Sequence, residues 1–70
     1  MLTTILKLLE FIPAAVAKTS EFKGRIDQIK ETLSTDDQAE LQAAYDDLVE
    51  DSDEAHDRFQ ERLKAAAEAE

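Results

Sequence analysis

Apolar residues recur at intervals of three and four along the first half of the chain, a spacing that places them on one face of an α-helix. Every seventh position from 5 to 33 is apolar except Thr19, a repeat typical of helices packed as in a coiled coil. The pattern therefore predicts a first helix over about residues 3–33 that packs against another helix. Its seam consists of Ile5, Leu9, Ile12, Val16, Phe22, Ile26, Ile29 and Leu33.

Pro13 interrupts this predicted helix, because proline has no backbone N–H and its ring crowds the carbonyl four residues earlier. We expect either a kink at Pro13 or a short first helix, with a new helix that has Pro13 at its first position. Gly24 lies on the outer face of the pattern, where we expect it to weaken the helix by about 1 kcal/mol relative to alanine.

A helix-start signal at residues 34–38 divides the chain into two halves. Thr35 followed by Gln38 is typical of a capping box, and Asp36 and Asp37 suit the positive end of a helix dipole. Ser34 is an equally acceptable N-cap. The sequence thus predicts a turn at 34–35 and a second helix over about 36–68. Its seam runs through Leu41, Tyr45, Leu48, Ser52, Ala55, Phe59, Leu63 and Ala66.

The two seams fit each other as an antiparallel pair, in which facing residues have numbers that sum to about 70. Ile12 then faces Phe59, and Thr19 faces Ser52 in one polar layer that would set the register. The predicted fold class is all-α, a single domain over residues 1–70 built as a coiled-coil-like two-helix hairpin. Because so short a chain has a marginal core, we expect a homodimer that forms a four-helix bundle, or a higher oligomer.

The start of the chain is more apolar than one seam requires, so something else has to cover the additional side chains. A second protomer or another protein is the first interpretation. A helix over residues 2–16 that lies on a membrane surface is the less favoured alternative, and Lys7, Glu10 and Pro13 make this segment too short to span a bilayer. The residues predicted to form this oligomer or partner interface are Leu2, Leu6, Leu8 and Phe11.

Charge is distributed unevenly. The net charge is −9, and residues 34–70 carry thirteen acidic residues against three basic ones. This balance argues against nucleic-acid binding, which needs a basic surface. An acidic face on the second helix is interpreted as a solvated surface, as a docking face for a basic partner protein, or as a cation site or DNA mimic. Its residues are Asp46, Asp47, Glu50, Asp51, Asp53, Glu54 and Asp57.

Residues with catalytic or metal-binding potential are few. The chain has no cysteine, which fits a reducing compartment such as the cytoplasm, and its one histidine is His56. Asp51 and Asp53 lack the glycine and the terminal glutamate of an EF-hand loop. We therefore predict no enzymatic activity, no cofactor and no metal site.

The short apolar opening Ile5–Leu9 and the acidic, alanine-rich stretch Asp36–Ala67 resemble the small helical accessory proteins of tailed bacteriophages. The resemblance implies a protein that binds and modulates or inhibits a host protein in the host cytoplasm. It also leaves open a lysis or envelope accessory that uses residues 2–16 at a membrane, or a small structural component of the virion. It implies no site residues.

Overall fold

The computed structural model describes residues 2–69, so Met1 and Glu70 lie outside it. It confirms the predicted all-helical class, since residues 2–69 contain five α-helices and no strand. The helices are α1 (Leu2–Glu10), α2 (Ala14–Ala17), α3 (Ser20–Lys30), α4 (Thr35–Glu50) and α5 (Asp53–Ala69).

The predicted two-helix hairpin is not observed. An unbroken helix over 36–68 would be about 50 Å long at 1.5 Å per residue, whereas the molecule measures 29 × 27 × 16 Å. Each predicted long helix is divided instead, the first into α1, α2 and α3 and the second into α4 and α5. The short helices pack around α4, which contacts all four others.

The first break lies at Pro13, as the short-helix alternative predicts. α1 ends at Glu10, and Pro13 adopts an extended backbone conformation (φ −64°, ψ 146°) as the N-cap of α2, one position before the expected one. The amides of Val16 and Ala17 both donate to the Pro13 carbonyl at 3.0 Å. Because proline lacks an N–H, it costs least at a helix start, which explains why the chain turns here.

The second break, at Thr19, was not predicted. Thr19 Oγ1 accepts a hydrogen bond from the Phe22 amide at 3.3 Å and donates one to the Val16 carbonyl at 2.7 Å. One hydroxyl thus adds a second donor to the Val16 carbonyl, which also accepts from the Thr19 amide at 3.1 Å, and satisfies a free amide at the start of α3. Two such bonds stabilise a change of helix direction at this position.

The start of α4 agrees with the alternative N-cap. Ser34 is the N-cap, and its Oγ accepts from the Asp37 amide at 3.3 Å. Gln38 does reach back, but its amide group donates to the Leu33 carbonyl at 2.9 Å instead of completing a capping box with Thr35. The predicted start is therefore correct within one residue, while the capping box is not formed.

The break between α4 and α5 was also not predicted. Asp51 ends α4 in the left-handed conformation (φ 54°, ψ 41°), the one non-glycine residue with positive φ within the described chain. Ser52 Oγ then accepts from the Ala55 amide at 3.0 Å, which is the hydrogen bond of an N-cap. Together the two residues reverse the chain and let α5 pack back on α4.

Thr19 and Ser52 therefore do not form the predicted polar layer. Both residues are exposed, and both hydroxyls cap helix starts. Thr19 and Ser52 interrupt the apolar seams because the helices themselves are interrupted at these two residues.

The core is built on the buried face of α4. Leu41 and Ala44 of this face are fully buried, and the Tyr45 hydroxyl donates to the Ala17 carbonyl at 2.5 Å. The Tyr45 ring stacks on Phe22 of α3, with centroids 6.2 Å apart and an interplanar angle of 16°. α4 thus holds α2 and α3 on one side while α1 and α5 complete the core. The buried apolar residues are Leu2, Leu6, Leu9, Ala17, Ile26, Leu41, Ala44, Tyr45, Ala55 and Phe59.

Candidate interaction surface

An open apolar groove lies between α1 and α3. α1 packs on α4 and α5, and α3 packs on α2 and α4, so the two helices do not close against each other. The groove has a volume of about 200 Å³. Its lining residues are Ile5, Leu8, Leu9, Ile12, Phe22, Arg25, Ile26 and Ile29.

The groove exists because α1 carries two adjoining apolar stripes. Residues on a helix advance by about 100° each, so residues spaced by three and four share a face. One stripe, Leu2, Leu6 and Leu9, is buried in the core. The second, Ile5 and Leu8, lies beside the first and lines the groove together with Ile12, which follows the end of α1. The apolar excess recognised in the sequence is therefore divided between the core and an open surface.

The four predicted interface residues fall on different surfaces. Leu2 and Leu6 are 7% and 0% exposed, so their assignment to an interface is wrong: they belong to the core of the chain itself. Leu8 is 64% exposed at the groove, and Phe11 is 82% exposed in the turn after α1. Leu8 and Phe11 are available to a partner, and helix periodicity explains why Leu2 and Leu6 are not.

Arg25 is the one charged residue among those that line the groove. Its side chain is exposed and forms no ion pair with any residue of the described part of the chain. The groove lining has no polar surface, so Arg25 contributes only the apolar part of its side chain to it.

The predicted acidic face is not one continuous surface. Asp47 is only 8% exposed, and its two carboxylate oxygens each accept a hydrogen bond at 3.0 Å, one from Arg58 Nε and one from Arg62 Nε. Arg58 also binds Glu50 at 2.6 Å, and Arg62 reaches Glu40 at 3.3 Å. Asp47 is thus part of the contact between α4 and α5 and cannot dock a partner. Charge-assisted pairs of this kind fix the packing of the two helices.

Hydrogen bonds in and beside this cluster shift the pKa values of Glu50 and Arg58. Hydrogen bonds from Ser52 and then Arg58 to the Glu50 carboxylate lower its pKa below the usual 4.5. The hydrogen bond to Asp47, followed by that to Glu50, raises the pKa of Arg58 above its usual value. The folded protein therefore stabilises the ionised forms of Glu50 and Arg58. We call the cluster of Asp47, Glu50, Arg58 and Arg62, which joins α4 to α5, the clamp.

The remaining acidic residues stay at the surface. Asp53 and Glu54 occupy the first turn of α5, where the helix dipole favours negative charge, and Asp46 accepts a hydrogen bond from Gln42 at 2.9 Å. These charges lie on both sides of the α4–α5 break. The exposed members of the predicted docking face are Asp46, Glu50, Asp51, Asp53, Glu54 and Asp57.

A second, smaller cleft lies where α1, α4 and α5 meet. It has a volume of about 70 Å³ and is lined in part by Glu10, Asp51 and His56. Within residues 2–69 no group of three or more His, Cys, Asp or Glu side chains is arranged to hold a metal ion. Gln60 Nε2 donates to Glu10 at 3.0 Å across this cleft, a contact that ties α5 to the end of α1.

Comparison of the chain with protein-family models, curated proteins and solved structures finds no match. None of the described helices has the length and apolar character needed to cross a membrane.

Proposed function

We propose that this chain is a non-enzymatic helical binding protein that holds an apolar segment of another protein in the groove between α1 and α3. The observation that carries the proposal is the groove itself. Leu8 is 64% exposed beside a cavity of about 200 Å³ whose lining surface is apolar. Exposed apolar surface of this kind is typical of a site for another molecule.

A protein partner is favoured over a membrane surface by the orientation of α1. A membrane-surface helix buries its whole apolar face in lipid, but Leu2, Leu6 and Leu9 are already buried in the protein core. Membrane binding would require α1 to leave α4 and α5. The groove instead has a helix on each side, and a groove of this shape can accommodate a segment of another protein between its two helices.

The resemblance to phage accessory proteins supports a host protein as the partner, and modulation or inhibition of that host protein in the cytoplasm as the action. The six exposed members of the predicted acidic docking face support attraction to a basic region elsewhere on the same partner. Of the four residues predicted for a homodimer interface, Leu8 and Phe11 are accessible to a second copy, because Leu2 and Leu6 lie in the core.

A pull-down with matched variants tests this function. Leu8→Glu introduces a charge at the groove, whereas Ala67→Glu introduces the same charge at an exposed position near the end of α5. We expect host proteins retained by the wild type to be retained by Ala67→Glu and lost by Leu8→Glu, as identified by mass spectrometry. Identical sets of proteins on all three baits would contradict binding at the groove.

The contribution of the acidic residues needs a separate measurement on the identified partner. Charge reversal of Asp46, Glu54 and Asp57 to Lys changes exposed residues and leaves the clamp at Asp47 intact. Exposed charges act mainly on encounter and are screened within about 10 Å at 0.1 M salt. We therefore expect a slower association rate with little change in dissociation, measured by surface plasmon resonance. An unchanged association rate would leave these charges a role in solubility alone.

A further inference from the structure

We infer that two copies of this chain form a domain-swapped dimer, in which α4 and α5 join into one continuous helix and each α5 packs on the core of the other copy. Three features of the connection between α4 and α5 support this: its length, the backbone conformation of Asp51 and the apolar pattern that continues across it. The groove between α1 and α3 takes no part in the dimer, so the dimer and the proposed function are tested separately.

The connection between α4 and α5 is short and conformationally costly. It consists of Asp51 and Ser52 alone. Asp51 has φ 54° and ψ 41°, a left-handed conformation in which the Cβ atom of an L-residue crowds the following carbonyl oxygen. Aspartate tolerates this conformation better than most residues, but the right-handed helix remains more favourable for it. A right-handed Asp51 would align α5 with α4, and short connections of this kind favour the exchange of an element between copies.

The reversal of the chain also interrupts the backbone hydrogen bonds of a helix. The end of α4 and the start of α5 leave carbonyls and amides without intrahelical partners. Ser52 Oγ replaces one of these partners by accepting from the Ala55 amide at 3.0 Å. In a continuous helix the Ala55 amide would donate to the Asp51 carbonyl, and the amides before it would donate to carbonyls of α4. The continuous helix therefore gains hydrogen bonds that the reversed chain makes only in part.

The apolar pattern continues across the connection with the spacing of a single helix. From residue 41 to residue 59 the apolar positions are four, three, seven and four residues apart, so that Ser52 is the one polar position of this seam. A continuous helix would present the whole seam on one face. The apolar residues of the seam are Leu41, Tyr45, Leu48, Ala55 and Phe59.

A second copy supplies every contact that α5 would lose. Within one chain α5 packs on α1 and α4, Phe59 is buried, and Arg58 and Arg62 donate to Asp47. Detachment of α5 exposes both sides of this contact in each copy. Two opened copies cover each other with the same pairs of residues, so that the dimer differs from two monomers chiefly at the connection.

Charge and entropy oppose the dimer. The start of each α5 has to meet the end of the other copy's α4, so the two connections lie together at the two-fold axis. The exposed acidic residues around each connection would then repel those of the other copy, a repulsion that salt screens. Association also costs translational and rotational freedom. We therefore expect the closed monomer in dilute solution and the dimer at high protein concentration and ionic strength.

Substitutions of Asp51 test this balance. Asp51→Ala disfavours the left-handed conformation and favours the helix, whereas Asp51→Gly does the reverse, and both remove the same charge. Because each dimer contains two connections, we expect the dissociation constant of the Asp51→Ala dimer to be lower than that of Asp51→Gly by about tenfold or more. Each variant is unfolded in urea and refolded at micromolar to millimolar concentration, and sedimentation equilibrium then measures the dimer.

Two further variants separate the connection from its surroundings. Ser52→Ala removes the N-cap of α5 and leaves Asp51 in place, so it should shift the equilibrium in the same direction as Asp51→Ala. Asp57→Ala is the matched control, because it removes one exposed acidic side chain from the interior of α5, which is helical in both forms. Its dissociation constant should stay within about threefold of the wild-type value.

NMR spectroscopy of mixed dimers identifies the exchanged helix. Isotope-labelled and unlabelled copies are refolded together at millimolar concentration, for the wild type and for Asp51→Ala. Phe59 and Leu48 line the same small cleft, so a nuclear Overhauser effect between the Phe59 ring and the Leu48 methyl groups is expected in both forms. It arises within one chain in the monomer and between chains in the swapped dimer. We expect the intermolecular effect in the dimer and its absence after refolding at micromolar concentration.

The opposite results would overturn the inference. Monomers at millimolar concentration for both the wild type and Asp51→Ala would exclude the dimer. Equal dissociation constants for Asp51→Ala and Asp51→Gly would show that the connection does not control association. A dimer without the intermolecular contact between Phe59 and Leu48, or one that Leu8→Glu dissociates, would show that the two copies meet without exchanging α5.

Discussion

Hydroxyl side chains decide where three of the five helices begin. Thr19, Ser34 and Ser52 each accept a hydrogen bond from the amide three residues later, at 3.3, 3.3 and 3.0 Å. Each bond satisfies an amide that the first turn of a helix leaves free. A hydroxyl buried between two apolar seams would instead lose water and gain fewer partners. A serine or threonine that interrupts an apolar repeat is therefore evidence for a helix boundary.

Ser34→Ala tests this at the start of α4. We expect it to lower the free energy of unfolding by about 1 kcal/mol through loss of the bond to the Asp37 amide. Thr35→Ala is the matched control, because Thr35 is the exposed first residue of α4, and its replacement should cost less than about 0.5 kcal/mol. Urea denaturation followed by circular dichroism gives both values. A larger loss at Thr35 would assign the cap to Thr35.

Gly24 offers a stabilising substitution. It is exposed in the interior of α3, and a Cβ atom added there meets no heavy atom within 4 Å. Gly24→Ala should raise the free energy of unfolding by about 0.5–1 kcal/mol, because alanine restricts the unfolded chain and has a higher helix propensity. The same denaturation measurement checks it. A loss of stability would mean that something packs against this face of α3.

The two stripes of α1 explain what could and could not be predicted at the scale of an element. Periodicity located every apolar residue of α1, and it showed that one seam could not accommodate them all. It could not tell which stripe faces the core, because that depends on where α4 and α5 lie after the chain reverses at Asp51 and Ser52. This reversal depends on the left-handed backbone conformation of Asp51, which the composition of the chain does not reveal.

Substitutions on the two stripes test this division. Leu6→Ala should lower the free energy of unfolding by about 2–5 kcal/mol, because Leu6 is fully buried and its loss leaves a cavity. Leu8→Ala removes the same atoms from a side chain that is 64% exposed, so we expect a loss below about 1 kcal/mol. Equal losses at the two positions would contradict the orientation of α1.

The clamp between α4 and α5 predicts a pH dependence of stability. The pKa of Glu50 is lowered in the folded protein, first by Ser52 and then by Arg58. A lowered pKa contributes stability that is present above the unfolded value, usually 4.5, and that is lost as the pH falls through the folded value. The destabilisation caused by Glu50→Gln should therefore be seen near neutral pH and disappear in acid.

Denaturation of the wild type and Glu50→Gln between about pH 6 and about pH 3 measures this difference. Glu54→Gln is the matched control, since Glu54 is exposed and forms no ion pair within residues 2–69. Its effect should change less with pH than that of Glu50→Gln. A destabilisation by Glu50→Gln that persisted unchanged in acid would indicate that the carboxylate charge is not what stabilises this contact.

At the scale of the whole molecule, five short helices achieve the compactness that two long ones would not. The accessible surface is 4713 Å², close to the roughly 4400 Å² expected of a folded monomer of this mass. The chain therefore has a core of its own, although a core this small was expected from the sequence to need a second protomer. The groove between α1 and α3 remains open to solvent. It is formed by residues of the nearly neutral first half of the chain, whereas the second half carries the excess negative charge.

Small-angle X-ray scattering distinguishes this arrangement from the hairpin. The Cα radius of gyration is 11.2 Å, in line with about 11 Å for a compact domain of 70 residues, whereas a hairpin about 50 Å long would give about 14 Å or more. We expect the compact value, slightly increased by hydration, on extrapolation to zero concentration.

Leu8→Glu provides the control for association, because it alters the groove and leaves the buried stripe of α1 in place. A scattering mass that rises with concentration for the wild type but not for Leu8→Glu would show two copies meeting at the groove. A radius near 14 Å at the mass of one chain would show that α4 and α5 are continuous, so that the reversal at Asp51 does not form in solution.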